Sequence, residues 1–257
     1  MNEAIIVDKE AALTVITLNR AEVLNAFDWD SLNRLQAAIA EFEADPSRKA
    51  MIITGTGKKA FSVGADLKDI KAMKQDETIE WCLLGSKVFN AIARVPKPVV
   101  AAVNGYALGG GLELALACDF RIAAENASLG LPEVTLGWIP GWGGVKRLVE
   151  IIGPTRAKEM LMFGSRIKAA EALSLGILNR VVPLSDLMRD ARQYAGTLCE
   201  KNPMSLAAIK LMLQEHGSAV DSQDSLLEAM AVSLLSKSDY SLDKIAAFEN
   251  KSHRKKS

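Results

Sequence analysis

The stretch NGYALGGGLELALACD, residues 104–119, is the segment from which the rest of the fold can be worked out. Between Lys97 and Asp119 the chain is apolar or rich in glycine, and Glu113 carries its single formal charge. Three glycines, at 109–111, stand before a run of helical character, LELALAC. Glycine lets a backbone come close to a ligand, and the first turn of a helix leaves N–H groups without partners. The pattern therefore predicts a turn that can donate hydrogen bonds to negative charge.

Glu113 admits two interpretations. A carboxylate among apolar neighbours tends to have a raised pKa, which suits it to transfer protons near neutral pH. Alternatively, the stretch is a buried turn between a strand and a helix, in which the glycines allow tight packing and Glu113 pairs with an arginine. One glycine-rich turn does not separate the two. The choice depends on whether the chain holds a second carboxylate in similar surroundings.

Composition describes an ordinary globular chain. Its 257 residues are 49% hydrophobic and 24% charged, and 31 basic and 31 acidic residues give a formal net charge of zero. We therefore expect one or two domains and no surface for nucleic acid or membrane. We also expect neither a leader before the first strand-like residues nor an apolar run that could span a bilayer. The three scattered cysteines, Cys82, Cys118 and Cys199, favour a reducing compartment, so we expect a cytoplasmic protein.

Several kinds of chemistry are poorly supported by the sequence. The two histidines, His216 and His253, both lie in the last quarter without metal-ligand spacing. Neither a histidine-based metal site nor a Ser-His-Asp triad is therefore expected. The hydrolase elbow, the P-loop and the dinucleotide fingerprint are missing as well. We expect no metal, and we expect any acid-base catalyst to be a carboxylate.

Strands and helices alternate in the first part of the chain. Short apolar or β-branched runs predict strands at 13–19, 50–55, 99–103, 119–124 and 177–183. A helix capped by Asp28 or Asp30 should follow the first of them. A second helix should run from about Ile79 to Arg94, after a poorly defined polar segment at 71–80. Residues 129–144 read as an irregular loop, and helices dominate from Val145 onward. The pattern indicates an α/β core followed by a helical section.

A second isolated carboxylate lies in the loop at 129–144. Glu133 is the single formal charge between Glu125 and Lys146, among apolar residues and two tryptophans. A charge in such surroundings is costly unless it is paired or used. Glu113 and Glu133 could share a cavity in which one handles a water proton and the other a substrate proton. Glycoside hydrolysis also uses two carboxylates, but an aromatic content of 5% argues against it.

The loop FSVGADLKDI, residues 61–70, is a third candidate. It places Gly64 and Ala65 just after a strand end, where their N–H groups could complement those of the glycines at 109–111. Two donors from separate loops aimed at one oxygen form an oxyanion hole.

Together these segments resemble the crotonase superfamily, and most closely its enoyl-CoA hydratases. The resemblance rests on residues 61–70 and on KPVVAAVNGYALGGGLELALACDFRIAAENASLGLPEVTLGWIPGWGGVKRL at 97–148, and it extends from LNAF at 24–27 to the late helices. It implies an α/β spiral of ββα units with a helical C-terminal trimerisation region, in trimers often paired into hexamers. The corresponding ranges are 1–198 for the core with the active site and 199–257 for the oligomerisation region.

The resemblance also implies an acyl-CoA thioester as the substrate, with coenzyme A part of that substrate and no separate cofactor. The backbone N–H groups of Ala65 and Gly110 would hold the thioester oxygen. Glu113 would orient and deprotonate the water, and Glu133 would supply the proton to C2. The segment expected to line the coenzyme A and thioester site consists of Ala65, Asp66, Leu67 and Lys68.

Other members of the superfamily remain open as alternatives. The chain could be an isomerase, a hydratase for cyclic or branched enoyl-CoA, a thioester hydrolase, or a non-catalytic acyl-CoA-binding protein. Trp138 and Trp142 could narrow the acyl pocket or pack in the core. The C-terminal apolar residues either contact a neighbouring subunit or cover their own core. They include Leu226, Leu227, Met230 and Leu234.

Overall fold

The structure of the protein is a computed structural model that describes residues 3–214 and Asp243. The expectations for the apolar C-terminal residues at 226–234 and for the two histidines concern residues outside the described ones. Within them, the strands are β1 (Ile5–Glu10), β2 (Leu13–Leu18), β3 (Ala50–Gly55), β4 (Ala60–Ser62), β5 (Val99–Val103), β6 (Tyr106–Leu108), β7 (Phe120–Ala124), β8 (Ser128–Gly130), β9 (Arg166–Lys168) and β10 (Arg180–Val182). The helices are α1 (Trp29–Ala44), α2 (Leu67–Ala72), α3 (Gln75–Arg94), α4 (Gly110–Ala117), α5 (Gly144–Phe163), α6 (Ala169–Ser174), α7 (Leu187–Cys199) and α8 (Pro203–Gln214).

The strands form two sheets. One has the order β1-β2-β3-β5-β7-β10, and the other has the order β4-β6-β8-β9. In three successive units the first strand (β3, β5, β7) joins the larger sheet and the next (β4, β6, β8) joins the smaller one, and a helix follows. These strands pair in parallel within each sheet. In the larger sheet β3 pairs with β5 and β5 with β7, and in the smaller sheet β4 pairs with β6 and β6 with β8. The predicted α/β architecture of ββα units is confirmed.

The strands predicted at 13–19, 50–55, 99–103 and 119–124 are present, and the one predicted at 177–183 is shorter. The smaller sheet corrects two predictions, because the loops expected at 61–70 and 129–144 contain or adjoin its strands. β4, β6 and β8 have three residues each, too few to show an alternating pattern, and they depend on pairing with one another.

The polar segment expected at 71–80 is also a correction, since α2 ends at Ala72 and α3 begins at Gln75. Local electrostatics accounts for the earlier start of α3. Two acidic residues occupy its first turn, where the helix dipole favours negative charge, and the Glu77 carboxylate accepts a hydrogen bond from the N–H of Lys74.

Helix α1 begins where its cap predicts. The Asp28 carboxylate accepts a 2.8 Å hydrogen bond from the N–H of Ser31, and the Ser31 hydroxyl accepts one of 2.8 Å from the N–H of Asp28. This reciprocal pair closes the first turn, so Asp28 rather than Asp30 is the cap. The stripe that α1 buries in the core consists of Leu32, Leu35, Ile39 and Phe42, as its spacing predicts.

Helix α4 is buried along its whole length, which suits a helix that is apolar on every side. Its C-terminal end is held by the buried side chain of Arg121, whose guanidinium donates a 2.6 Å hydrogen bond to the Cys118 carbonyl and one of 2.6 Å to the Ile177 carbonyl. A cation at a helix C-terminus stabilises the unpaired carbonyls there. The helix is therefore anchored at one end and presents its first turn at the other.

The chain divides into two compact units, Met1–Cys199 and Glu200–Ser257. The first contains both sheets and α1–α7, and α8 belongs to the second. The boundary expected after residue 198 and the oligomerisation role expected for 199–257 stay predictions. Over the described ranges, no helix is both long and apolar enough to cross a membrane.

Candidate active site

Glu113 lies in the first turn of α4 and is 2% exposed. One carboxylate oxygen, Oε1, accepts two hydrogen bonds of 2.8 Å, from the N–H groups of Trp142 and Gly144. Trp142 lies in the segment between the 3₁₀ helix Pro132–Leu136 and α5, and Gly144 is the first residue of α5. Across residues 3–214, Glu113 forms no ion pair, so its partners are backbone N–H groups and not the arginine of the alternative interpretation.

Opposing influences act on the Glu113 carboxylate. Burial raises its pKa above the ordinary value, and the two backbone hydrogen bonds and the positive charge of Arg147 counteract that rise. The Glu113 charge also helps burial to raise the pKa of the Cys82 thiol, which places Cys82 of α3 beside the carboxylate.

Glu133 lies in the 3₁₀ helix that follows β8 and is half-buried. Its Oε2 atom is buried and has no hydrogen-bond partner in the part of the chain that the structure describes. A Cβ atom on Gly109, the residue before α4, would lie 3.1 Å from Glu133 Oε1. The second carboxylate therefore lies against the turn from which the helix of Glu113 begins.

The surroundings of the two carboxylates set their order of ionisation. Burial, reinforced by the nearby negative charge of Glu113, raises the pKa of Glu133 to about 7. The Glu113 carboxylate has two N–H donors and a nearby cation, whereas the Oε2 atom of Glu133 has no donor within the described chain. These surroundings favour the ionised form of Glu113 over the ionised form of Glu133.

The loop at 61–70 meets the glycine turn. A Cβ atom on Gly64 would lie 2.6 Å from the nitrogen of Gly110, so the two backbones are in contact. Ala65 pairs with Phe27 as a single parallel bridge, through bonds that use the Gly64 carbonyl and the Asp66 N–H, each 2.8 Å long. The Ala65 N–H consequently points away from Phe27. Neither it nor the Gly110 N–H donates to an acceptor among residues 3–214.

Replacing Gly64 with alanine is expected to lower both the thermal midpoint and the activity. Gly64 has φ +89°, which costs a residue with a Cβ about 1–2 kcal/mol. The new atom would also press on the Gly110 nitrogen, and overpacking of this kind typically costs about 1–3 kcal/mol. Gly176→Ala is the matched control in calorimetry, since its φ is +78° and nothing lies within 4 Å of the added atom. Equal losses in both variants would contradict the close approach.

The four residues expected to line the substrate site differ in position. Ala65 directly follows Gly64, whose backbone is in contact with that of Gly110. The Asp66 carboxylate is 3.3 Å from the guanidinium of Arg20 and caps α2 by accepting from the N–H of Lys68. The side chains of Leu67 and Lys68 are exposed. Asp66 therefore fixes the loop that follows Gly64, and the side chains of Leu67 and Lys68 face solvent.

The two tryptophans have different surroundings. Trp142 is 4% exposed, and its ring packs edge-on against Phe27, Trp81 and Phe89 at centroid distances of 5.2–5.9 Å. A Cβ atom on Gly110 would meet the same ring. Trp138 is 42% exposed. Trp142 therefore belongs to the core and supports the site, and the core-packing alternative is wrong for Trp138.

Sequence reasoning missed the contribution of Trp142, Gly144 and Arg147 to the Glu113 site. The only local signal is the pair of glycines in GWGGVKR, which begins α5. Within the described chain, no cluster of three or more histidine, cysteine, aspartate or glutamate side chains could hold a metal ion.

Comparison with known proteins places the chain in a family. The sequence profile of the enoyl-CoA hydratase/isomerase family matches residues 8–255. The chain belongs to this family. The chain is 43% identical over 210 residues to the short-chain-enoyl-CoA hydratase of Clostridium acetobutylicum, which covers 82% of this chain and 79% of that protein. It is also 43% identical over 210 residues to the carnitinyl-CoA dehydratase of Shigella flexneri, covering 82% of this chain and 80% of that one.

Comparison with solved structures indicates the same family. The crystal structure of an enoyl-CoA hydratase from Bacillus anthracis superposes with a TM-score of 0.92 at 37% identity, covering 96% of each chain. The resemblance to the crotonase superfamily, and most closely to its enoyl-CoA hydratases, is confirmed, as is the crotonase-like fold.

Proposed function

We propose that the protein adds water across the C2–C3 double bond of a trans-2-enoyl-CoA to give the 3-hydroxyacyl-CoA. The observation that carries the proposal is that a buried carboxylate, Glu113, and a half-buried one, Glu133, lie at the turn where α4 begins. The N–H of Gly110 in this turn and that of Ala65 in the adjoining loop have no acceptor among residues 3–214. The family and the relatives described above support the same substrate class. Coenzyme A enters as part of the substrate, and the proposal includes no other cofactor.

The oxyanion is stabilised first. When the oxygen of water attacks C3, negative charge develops on the thioester carbonyl oxygen. In the proposal the N–H groups of Ala65 and Gly110 donate to that oxygen, and neither donor can titrate. One preorganised donor of this kind typically lowers the barrier by about 3–4 kcal/mol.

The carboxylates then handle one proton each. Ionised Glu113 accepts a proton from the water as its oxygen bonds to C3, and protonated Glu133 gives its proton to C2 as the enolate collapses. The product leaves with the oxygen and one proton of the water and with the proton that Glu133 gave up. Glu113 ends protonated and Glu133 ionised, so a proton must return from the first to the second through solvent before the next turnover. The pair therefore holds one proton before and after each turnover.

The test is incubation of the purified protein with crotonyl-CoA while the absorbance of the conjugated thioester is followed. Hydration predicts loss of absorbance and a product heavier by one water. Unchanged absorbance in the presence of crotonyl-CoA would contradict the proposal and favour an isomerase, a hydratase for cyclic or branched substrates or a non-catalytic acyl-CoA-binding protein. Release of free coenzyme A would indicate thioester hydrolysis instead. Self-association into trimers, or pairs of trimers, is a further part of the proposal that sedimentation of the full chain would test.

The pH dependence of hydration is expected to be bell-shaped. Glu133 must be protonated to serve as the acid, so kcat/KM should fall as the pH rises through about 7, the pKa of that carboxyl. Glu113 must be ionised, so activity should also fall on the acid side, at a pH above the ordinary glutamate value because burial raises the Glu113 pKa. The two limbs report the pair and not either residue alone. A rate that stays constant from pH 6 to pH 9 would contradict the assignment of Glu133.

A further inference from the structure

Arg147 connects α3 to the segment that holds Glu113. It lies in the first turn of α5 and is half-buried. One arm of its guanidinium, Nη1, donates a 2.8 Å hydrogen bond to the carbonyl of Trp142. The other arm, Nη2, donates a 2.6 Å hydrogen bond to the side-chain oxygen of Asn90 on α3. The planar guanidinium makes both bonds at once in a fixed geometry, which a lysine ammonium cannot reproduce.

Trp142 is hydrogen-bonded to both Arg147 and Glu113. The carbonyl of Trp142 accepts from Arg147, and the N–H of Trp142 donates to Glu113. The N–H of Gly144 supplies the second bond to the same carboxylate oxygen. A continuous chain of hydrogen bonds thus runs from Asn90 through Arg147 and Trp142 to Glu113.

We propose that Arg147, held by Asn90, is a positioning residue that fixes the segment 142–144 and thereby aims the Glu113 carboxylate at the attacking water. The proposal rests on the proposed function for its catalytic consequence. It names two residues outside the two carboxylates and the two oxyanion donors. Neither of the two touches the reacting atoms, and both act through the backbone of Trp142.

The effect of the Arg147 charge on Glu113 must be distinguished from the effect of the Arg147 hydrogen bonds. The titratable groups that influence or neighbour Glu113 come from three elements: Cys82 on α3, Glu133 on the 3₁₀ helix and Arg147 on α5. The positive charge of Arg147 lowers the pKa of Glu113, and so do the backbone N–H bonds that Arg147 holds in place. Asn90 carries no charge and is exposed. Its replacement therefore changes the hydrogen-bond geometry without removing a cation.

The experiment compares Asn90→Ala, Arg147→Lys and Arg147→Met with Lys146→Met, an exposed cation one residue away on the same helix. Misplacing a catalytic group by about 1 Å can cost on the order of 100-fold in rate. We therefore expect kcat to fall about 10-fold in Asn90→Ala and about 100-fold in Arg147→Met, with Arg147→Lys between them. KM should change little, the acid limb of the pH profile should move upward, and Lys146→Met should match the wild type.

Titration of the Glu113 carboxyl carbon by NMR, in the Glu133→Gln background, gives a readout that needs no substrate. A higher Glu113 pKa in Asn90→Ala supports the proposed positioning role of Arg147. An unchanged titration, with kcat and pH profile as in Lys146→Met, would overturn it. A fall in activity matched only by a lower thermal midpoint, with an unmoved acid limb, would overturn it as well. If the wild type fails to hydrate crotonyl-CoA, the proposed function is wrong. The titration still decides whether Asn90 and Arg147 position the Glu113 carboxylate.

Discussion

Replacing Glu133 with glutamine is expected to lower kcat for the hydration of crotonyl-CoA by about 10³-fold, the scale that one positioned acid or base contributes. Glutamine keeps the size of the side chain but cannot give up a proton at neutral pH. The Glu133 pKa of about 7 is what makes this residue an acid under working conditions. Initial rates at saturating substrate, with KM measured alongside, check the prediction.

The Glu133→Gln substitution, which should lower activity, is expected to leave the stability of the fold unchanged or to raise it. Because the pKa of Glu133 in the folded chain lies above its ordinary value of 4.5, ionisation disfavours folding. The stabilising effect of the neutral form is complete below pH 4.5 and disappears as the pH rises through about 7. At pH 8 the glutamine variant should therefore unfold at the same temperature as the wild type or higher. A variant that loses activity and stability together would contradict the assignment, since it would indicate a structural role.

Replacing Glu113 with glutamine is expected to cost a similar factor in kcat, about 10³-fold. The amide oxygen of glutamine can still accept the hydrogen bonds from the N–H groups of Trp142 and Gly144, so the segment should keep its place. What is lost is the base that takes the proton from water. Circular dichroism and the thermal midpoint provide the control for folding.

The double variant tests whether Glu113 and Glu133 act as a unit. Groups that share one reaction step are strongly non-additive, so removing both should cost little more than removing one. Wild-type turnover in either single variant would show that the mechanism does not use two carboxylates. Multiplied losses would show that the two act in independent steps.

The local parts of this site can be predicted from sequence. The apolar run at 98–118 predicts a buried strand, a turn and a buried helix, and Glu113 is its single charge. Glu133 follows by the same reasoning, because an isolated charge among apolar residues is costly unless it has a use. Their meeting at one turn required the resemblance to a known family, since no local pattern carries it.

The supporting hydrogen bonds could not be predicted. The donors to Glu113 lie 29 and 31 residues away along the chain, and a backbone N–H has no sequence signature. The same is true of the contact between Arg147 and Asn90, which spans 57 residues. Three-residue strands such as β4, β6 and β8 are equally hidden, because pairing with neighbours and not local pattern stabilises them.

The most direct test of the proposed hydration is to incubate the wild-type protein with crotonyl-CoA in water enriched in oxygen-18. The mass of the product and of its fragments is then measured by mass spectrometry. Addition of water predicts a coenzyme A thioester that has gained one water, with the heavy oxygen in its C3 hydroxyl and none in the thioester carbonyl. Unchanged crotonyl-CoA, or heavy oxygen found in a free carboxylic acid, would contradict hydration.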